Sequence, residues 1–522
     1  VTADLWQRAF VFFEHDQKER VFFSHPLEPI LRKGAKDEWL ATLARQVESA
    51  TYVPSHAKIL DTPKPKWHSR PGALLSCADQ VVYHYIGLKC LELIRPRLRA
   101  LEGTVRFSNI LAKNNRSWFA RTFSGWKRFS EATATLLPNA EFIVETDVAG
   151  YYENIDIGRL IRELSAEGVD PFTIALMEKC LNKWAYPRGR GLLQGFSPSD
   201  LLAEYYMDAI DRHLKGAGLA HVRYMDDMRI ATINERDARI AQLKLTAFLR
   251  DRGLNLQTSK TVILPKSAAM EHQRRLETIL SRVAVEVATE LTSIGVPDPN
   301  VSMSQLQSRI RNVLKTSPSK PAIEVLERTF GDFVSGALGE WDKTILHYLL
   351  HRLSESGSLV ALDFAVQLLS EHPEETLDGL RYVASSPPGE RRDEAVTRIA
   401  QLVRDNLLLF DYQVYQIFRW AYDSSIQSSA LAEAARSTLR QARHYPPMRY
   451  HAIAFLGRHA EMTDWEELET IYRNSTDPLE RATVVGAFKD APAALRGKFL
   501  GRARGDGELI DLAVAWATST GA

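Results

Sequence analysis

The chain is poor in cysteine: it has three in 522 residues, Cys77, Cys90 and Cys180, and no CxxC pair. That excludes a disulfide framework and a zinc ribbon, and suits reduced thiols in a cytosolic compartment. Long hydrophobic runs are missing as well. No stretch of about 18 apolar residues occurs, so no membrane span is expected. The N-terminal VTADLWQRAFVFFEHDQKER carries acids and no basic region ahead of its apolar stretch, which speaks against a secretory signal. Glycine (28) and proline (23) are not enriched, and 45% apolar with 25% charged residues excludes disorder and collagen. EF-hand loop patterns are absent. His347 and His351 lie four apart, but no Glu follows His347 as in HExxH, so a solvated helix face is expected there. Glu466, Glu467 and Glu469 read as an acidic helix face.

An excess of one charge is also missing overall, at +1, but not locally. Residues 51–130 hold 14 Lys and Arg against 4 Asp and Glu, whereas residues 266–522 hold 29 against 34. A basic segment inside a neutral chain suggests a local polyanion site, with a solvated basic face as the alternative.

Periodicity divides the chain into four stretches. Residues 1–50 form an N-terminal helical extension, in which WLATLARQVESA has an amphipathic pattern. Residues 51–265 read as an α/β domain around a small antiparallel sheet. Within it, residues 51–70 contain three prolines and read as extended loop, and 79–101 as helix. EFIVETDVAGYY places a short buried strand ahead of Asp147, and HVRYMDDMRIAT reads as a β-hairpin bent at Asp226-Asp227. Residues 266–320 are a helical connector or thumb-like segment. From 321 to 522 helical patterns recur in pairs every roughly 35 to 45 residues, a spacing that suits stacked HEAT-like repeats. The fold class is thus α/β followed by all-α.

Asp147, Asp226 and Asp227 are the chemistry-bearing residues. Two adjacent acids in a tight apolar turn repel each other, and a divalent cation would relieve the repulsion. Three carboxylates on neighbouring strands can hold two Mg²⁺ about 4 Å apart, the arrangement that clamps the attacking and leaving oxygens of phosphoryl transfer.

The order of motifs resembles a known family. TDVAGYYENID (146–156), GLLQGFSPSDLLAEYY (191–206), RYMDDMRIAT (223–232) and GLNLQTSKT (253–261) are similar to the four palm motifs of reverse transcriptases, and Tyr224 to Asp227 spell YMDD. Upstream, Tyr52-x-Pro54, Pro65-Lys66, Ser69-Arg70-Pro71 and Ala78-Asp79-Gln80 resemble the fingers motifs. The resemblance implies a right-hand fingers–palm fold and a nucleotidyltransferase that adds dNTPs to a DNA product, with RNA as a candidate template. It assigns two Mg²⁺, or Mn²⁺ in their place, to Asp147, Asp226, Asp227 and the backbone carbonyl of Val148. It makes Tyr152 the sugar gate against a 2′-OH. Gln194 and Gly195 would lie beside the nucleotide and template, Lys66 and Arg70 on the triphosphate, and Lys260 at the pyrophosphate. The second palm motif departs from the family: Phe196 stands where a small residue is usual and Asp200 where proline is usual, while Ser199 is kept. The segment 104–130 interleaves Arg and Lys with Trp118, Phe119 and Trp126, which suits either single-strand binding or a packed fingers core.

A mildly acidic helical tail is unlike that of intron-encoded enzymes, and neither the retron NAxxH and VTG elements nor RNase H acids are found. A palm joined to helical repeats resembles the bacterial abortive-infection and phage-defence reverse transcriptases. That implies a cytoplasmic homo-oligomer with no membrane partner, answering to a phage-derived trigger, whose DNA synthesis can be untemplated and primed from a protein tyrosine. Tyr412, Tyr415 and Tyr445 are candidate primers, and Tyr52 is expected to be structural. The alternatives are a nucleic-acid-sensing module with a retained palm, or an intron- or retron-type RNA-directed polymerase.

Overall fold

The computed structural model of the protein describes residues 2–19, 22–113, 117–120, 123–185, 188–291, 303–316, 319–441 and 446–519. These form two compact units. One comprises Val1–Ser24, Arg32–Ile59 and Pro71–His272; the other comprises His25–Leu31, Leu60–Arg70 and Gln273–Ala522.

Of the proline-containing stretch 51–70 expected as loop, 51–57 is irregular, but from Lys58 the chain forms a two-stranded ribbon, β1 (Lys58–Lys64) and β2 (His68–Leu74). A ribbon has two free edges, so Pro63 and Pro71 can sit in it without removing a needed ladder bond, while Pro65 starts the turn at its tip. Thr62 Oγ1 donates to the Arg70 carbonyl across the pair at 3.0 Å. At the tip, Lys66 (φ 61°) and Trp67 (φ 62°) are both left-handed, and Trp67 is exposed.

The first unit is built on a four-stranded antiparallel sheet. Its strands are β3 (Phe142–Thr146), β5 (Ala220–Tyr224), β6 (Asp227–Thr232) and β8 (Val262–Pro265), in the order β5-β6-β3-β8. The short β4 (Val148–Ala149) pairs with β7 (Asn255–Leu256) beside it. Burial alternates along β6, with Met228, Ile230 and Thr232 inside, as a strand with one covered face requires. The helix Glu235–Asp251, capped by Asn234, packs on β3 and β6. The helices Cys77–Arg99 and Ser197–Gly216 pack against each other and are buried over most of their length. The N-terminal helix Thr2–Glu19 lies on the first of these. Its Asp16 accepts from the backbone N–H and Oγ of Ser197 at 2.7 and 2.6 Å, so it satisfies the start of the helix that carries the second palm motif.

In the second unit, helices pack two ahead in the chain. Lys343–Ser356, Thr376–Ser385, Asp411–Asp423, Pro446–Gly457, Pro478–Ala487 and Glu508–Thr518 contact in succession. Leu362–Glu371, Glu390–Arg404 and Ser429–Arg440 form a second row. This is the stacking of helix pairs that the spacing predicts. Glycine permits close approach at two points: a Cβ on Gly379 would meet the Ala365 carbonyl oxygen at 2.6 Å, and one on Gly457 would meet the Ala487 Cβ at 2.7 Å. The segment His25–Leu31 belongs to this unit. His25 Nε2 lies 3.0 Å from the Leu479 carbonyl and 2.9 Å from Thr483 Oγ1.

His347 is not on a merely solvated face. Its Nε2 is 2.7 Å from Glu375 and 3.2 Å from Asp378, and hydrogen bonds to Asp378 and Glu375 push its pKa up to about 9. His351 faces Glu355 instead, so the two histidines do not form a pair.

Candidate active site

The carboxylate site starts from the register of two strands. Thr146, the last residue of β3, is paired with Met228 of β6. Asp147 is therefore one step beyond the β3 end, and Asp227 one step before Met228 on the neighbouring strand. β5 and β6 close with Tyr224 opposite Asp227, leaving Met225 and Asp226 as a two-residue turn. Such turns need a left-handed first residue, which is why glycine or asparagine is usual there. Met225 occupies that position at φ 55°. A side chain there costs about 1–3 kcal/mol and must be held by its surroundings.

A buried network holds it. The Met225 N–H donates to Ser108 Oγ and its carbonyl accepts from Arg223 Nη1, both at 2.8 Å. Arg223 is fully buried and also donates to Glu204 at 2.9 Å and to both oxygens of Asp211. Ser108 and Asn109 donate to the other Glu204 oxygen. Burial disfavours the Arg223 charge, but Asp211 and Glu204 outweigh it and raise its pKa well above the ordinary value. Burial likewise opposes the Asp211 charge, yet Arg223 draws its pKa down to about 2. Sequence reading missed this network. Its only local signal is Glu204 and Asp211 on otherwise apolar faces of one helix.

The three acids converge. Burial, then the Asp147 charge, pushes Asp226 up to about 7 and Asp227 up to about 6. Asp147 Oδ1 is buried with no N–H or hydroxyl donor facing it. Lys260 is ion-paired with the other oxygen. Burial would lower the Lys260 pKa, but its bond to Asp147 raises it. Hard oxygen donors crowded into repulsion, with one lone pair left orphaned, fit a divalent cation.

The other predicted residues are distributed as follows. Val148 is buried in β4 opposite Leu256, while the Asp147 carbonyl accepts from the Gln257 N–H at 2.7 Å. Tyr152 is buried, and its hydroxyl donates to Asp200 Oδ1 at 2.6 Å, so the residue that departs from the family pattern anchors the expected gate. Burial keeps that phenol protonated by raising its pKa well above the ordinary value. Gln194 bridges to Gly72 and Gly195 takes φ 91°, which favours glycine, just before the helix at Ser197. Phe196 is buried against Tyr83. Lys66 and Arg70 group with the helical unit, where Arg70 lies near Tyr412. Trp118 and Phe119 are buried and Trp126 is exposed, while parts of segment 104–130 (114–116, 121 and 122) lie outside the described residues. Tyr52, Tyr412 and Tyr415 are all buried, and Tyr445 lies outside the described residues.

A family model described as reverse transcriptase (RNA-dependent DNA polymerase) matches residues 65–278. The chain thus carries a reverse transcriptase domain, an RNA-directed DNA polymerase and so a nucleotidyltransferase, a class that uses divalent metal ions, nucleotides and nucleic acid. Among solved structures, one of telomerase from Candida albicans in complex with a TWJ fragment of telomeric RNA is similar at 12% identity and a TM-score of 0.31, covering 72% of this chain and 68% of that one. No curated protein matches significantly. Among the described residues, no helix is long and apolar enough to cross a membrane.

Proposed function

We propose that this protein is a DNA polymerase of the reverse-transcriptase type that adds dNTPs at the Asp147, Asp226 and Asp227 site and acts in bacterial antiphage defence. The observation that carries the catalytic reading is the convergence of these carboxyls, two of them pushed up toward neutrality. With the Val148 carbonyl, they would hold two Mg²⁺, or Mn²⁺ in their place. When bound, such a pair activates the attacking hydroxyl and neutralises the leaving pyrophosphate. Lys260 is the ammonium at hand to protonate the pyrophosphate. The Tyr152 ring, pinned by Asp200, stands against a 2′-OH. Gln194 and Gly195 line the nucleotide.

The defence role rests on architecture: a palm followed by stacked helix pairs in place of a basic thumb. It carries with it a cytoplasmic homo-oligomer, a phage-derived trigger and protein priming. The burial of Tyr52, Tyr412 and Tyr415 favours none of them as an accessible primer.

The test is labelled dNTP incorporation by the purified chain with Mg²⁺. Asp226→Asn should lower incorporation on the order of a thousandfold or more, since metal contacts supply several kcal/mol of transition-state stabilisation. Its melting temperature should hold or rise, because a buried repulsion is removed. Undiminished synthesis would refute the site. Digesting the product with nuclease and then protease tests priming: DNA released only by protease is covalently primed.

A further inference from the structure

The reverse-transcriptase unit contains a second polar site, in a pocket to which none of the carboxylate-site residues contributes. Arg8 and Phe12 come from the N-terminal helix, Arg95 from the helix Cys77–Arg99, and Lys113, Ser117 and Trp118 from the segment that follows. Three separate stretches of chain thus bring three cations to one opening. No Asp or Glu lines it. Among the described residues, none of the three cations is in an ion pair, and Arg8 Nε is buried with no hydrogen-bond partner.

Cations converging without a counter-ion repel one another, and a buried guanidinium N–H without an acceptor is costly. An anion removes both costs. Guanidinium forks match the oxygens of a phosphate, and a lysine adds a point charge to it. Phe12 and Trp118 are buried and form apolar wall rather than an exposed face for stacking. The site therefore suits a phosphate and has nothing that would read a base. Arg95 and Lys113 belong to residues 51–130, which carry the chain's local excess of positive charge.

We propose that Arg8, Arg95 and Lys113 bind a backbone phosphate of the nucleic-acid strand on which this unit acts. This rests on the reverse-transcriptase reading for its ligand, and makes the N-terminal helix part of the strand-binding surface. The grip is independent of sequence.

The experiment measures binding of a short fluorescent single-stranded oligonucleotide, as RNA and as DNA, to the full chain in EDTA without dNTPs. Arg8→Gln, Arg95→Gln and Lys113→Gln are compared singly and together at several salt concentrations. The triple variant should bind about tenfold more weakly, equally for every sequence, and its log K against log salt slope should fall by about one. Arg8→Lys should recover part of the loss, and matching melting curves should show that the variants fold. A triple variant with wild-type affinity and slope overturns the proposal. A second arm uses inorganic phosphate. If phosphate raises the melting temperature of the wild type alone while oligonucleotide binding is the same in both proteins, the site takes a free anion and the strand assignment is overturned. Asp226→Asn separates this from the catalytic reading: loss of oligonucleotide affinity in the triple variant stands whether or not the palm incorporates dNTPs.

Discussion

The two units differ in what their buried charges do. In the unit with the sheet, charges are buried and held by partners far away in the chain. Arg223 bonds Glu204 and Asp211, Asp16 bonds Ser197, and three carboxyls meet at a strained turn. In the helical unit, many ion pairs are exposed, and some join neighbouring helices, as Arg440–Glu467 and Arg328–Glu286 do, although Arg352–Glu355 is buried and Glu375 and Asp464 are buried acids paired with cations. Exposed pairs contribute little to stability, about 0–1 kcal/mol each. Stability there comes from apolar contact between successive helices, each added locally. The first unit instead accepts the cost of desolvating charge and gains a fixed turn. The teaching of the contrast is that buried charge marks where geometry, rather than stability, is under demand.

The contrast can be broken at several points. Beyond the loss of synthesis in Asp226→Asn, the largest stability effect is expected at Arg223→Met. It leaves Glu204 and Asp211 buried without their cation, and denaturant unfolding should show a loss of about 3–5 kcal/mol. A loss under about 1 kcal/mol would mean that the network is not holding the turn. In the helical unit, Gly379→Ala forces a Cβ against the Ala365 carbonyl oxygen. Calorimetry should show a cost of about 1–3 kcal/mol, with dNTP incorporation unchanged; an equal melting temperature would show that the two helices part freely.

The effects of pH need no substitution, and their signs can be worked out. Asp226 and Asp227 have raised pKa values in the folded, metal-free chain, so that state binds more protons than the unfolded one. Their contribution is full below the ordinary carboxylate range of about 4, and is lost as pH rises through about 6 to 7. Added Mg²⁺ should oppose that loss, and its apparent affinity should rise over the same window. His347 is also raised, so its contribution is complete below its ordinary value of about 6.5 and lost as pH passes about 9. His347→Gln should flatten the second loss and leave the first. Melting curves against pH, with Mg²⁺ and with EDTA, would fail to support the contrast if both losses responded to the metal.

Much of the palm was legible because its signals are local. The alternation in MRIAT, the short apolar run before Asp147 and the hairpin pattern place β3, β5 and β6, although the turn falls at Met225-Asp226 and not at Asp226-Asp227, and the 35-to-45-residue rhythm, roughly, predicts the stacked helices. Residues 58–70 were misread because proline usually marks loop, and a ribbon with free edges is the exception, whereas 51–57 is loop as read. His347 was misread because its acidic partners Glu375 and Asp378 lie on a later turn and helix. The Tyr152–Asp200 bond was also hidden, although both residues stood out individually.

The sequence by itself determined the order of elements, the faces that are buried and the three acids that could share a cation. Periodicity and turn preference act over a few residues and can be read along a line. Only the tertiary structure decided which charges are paired: Arg223 with Glu204 and Asp211, Lys260 with Asp147, and Arg70 grouped with the helical unit near Tyr412. A buried charge takes whatever partner packing brings within reach, and packing joins residues that the chain keeps far apart.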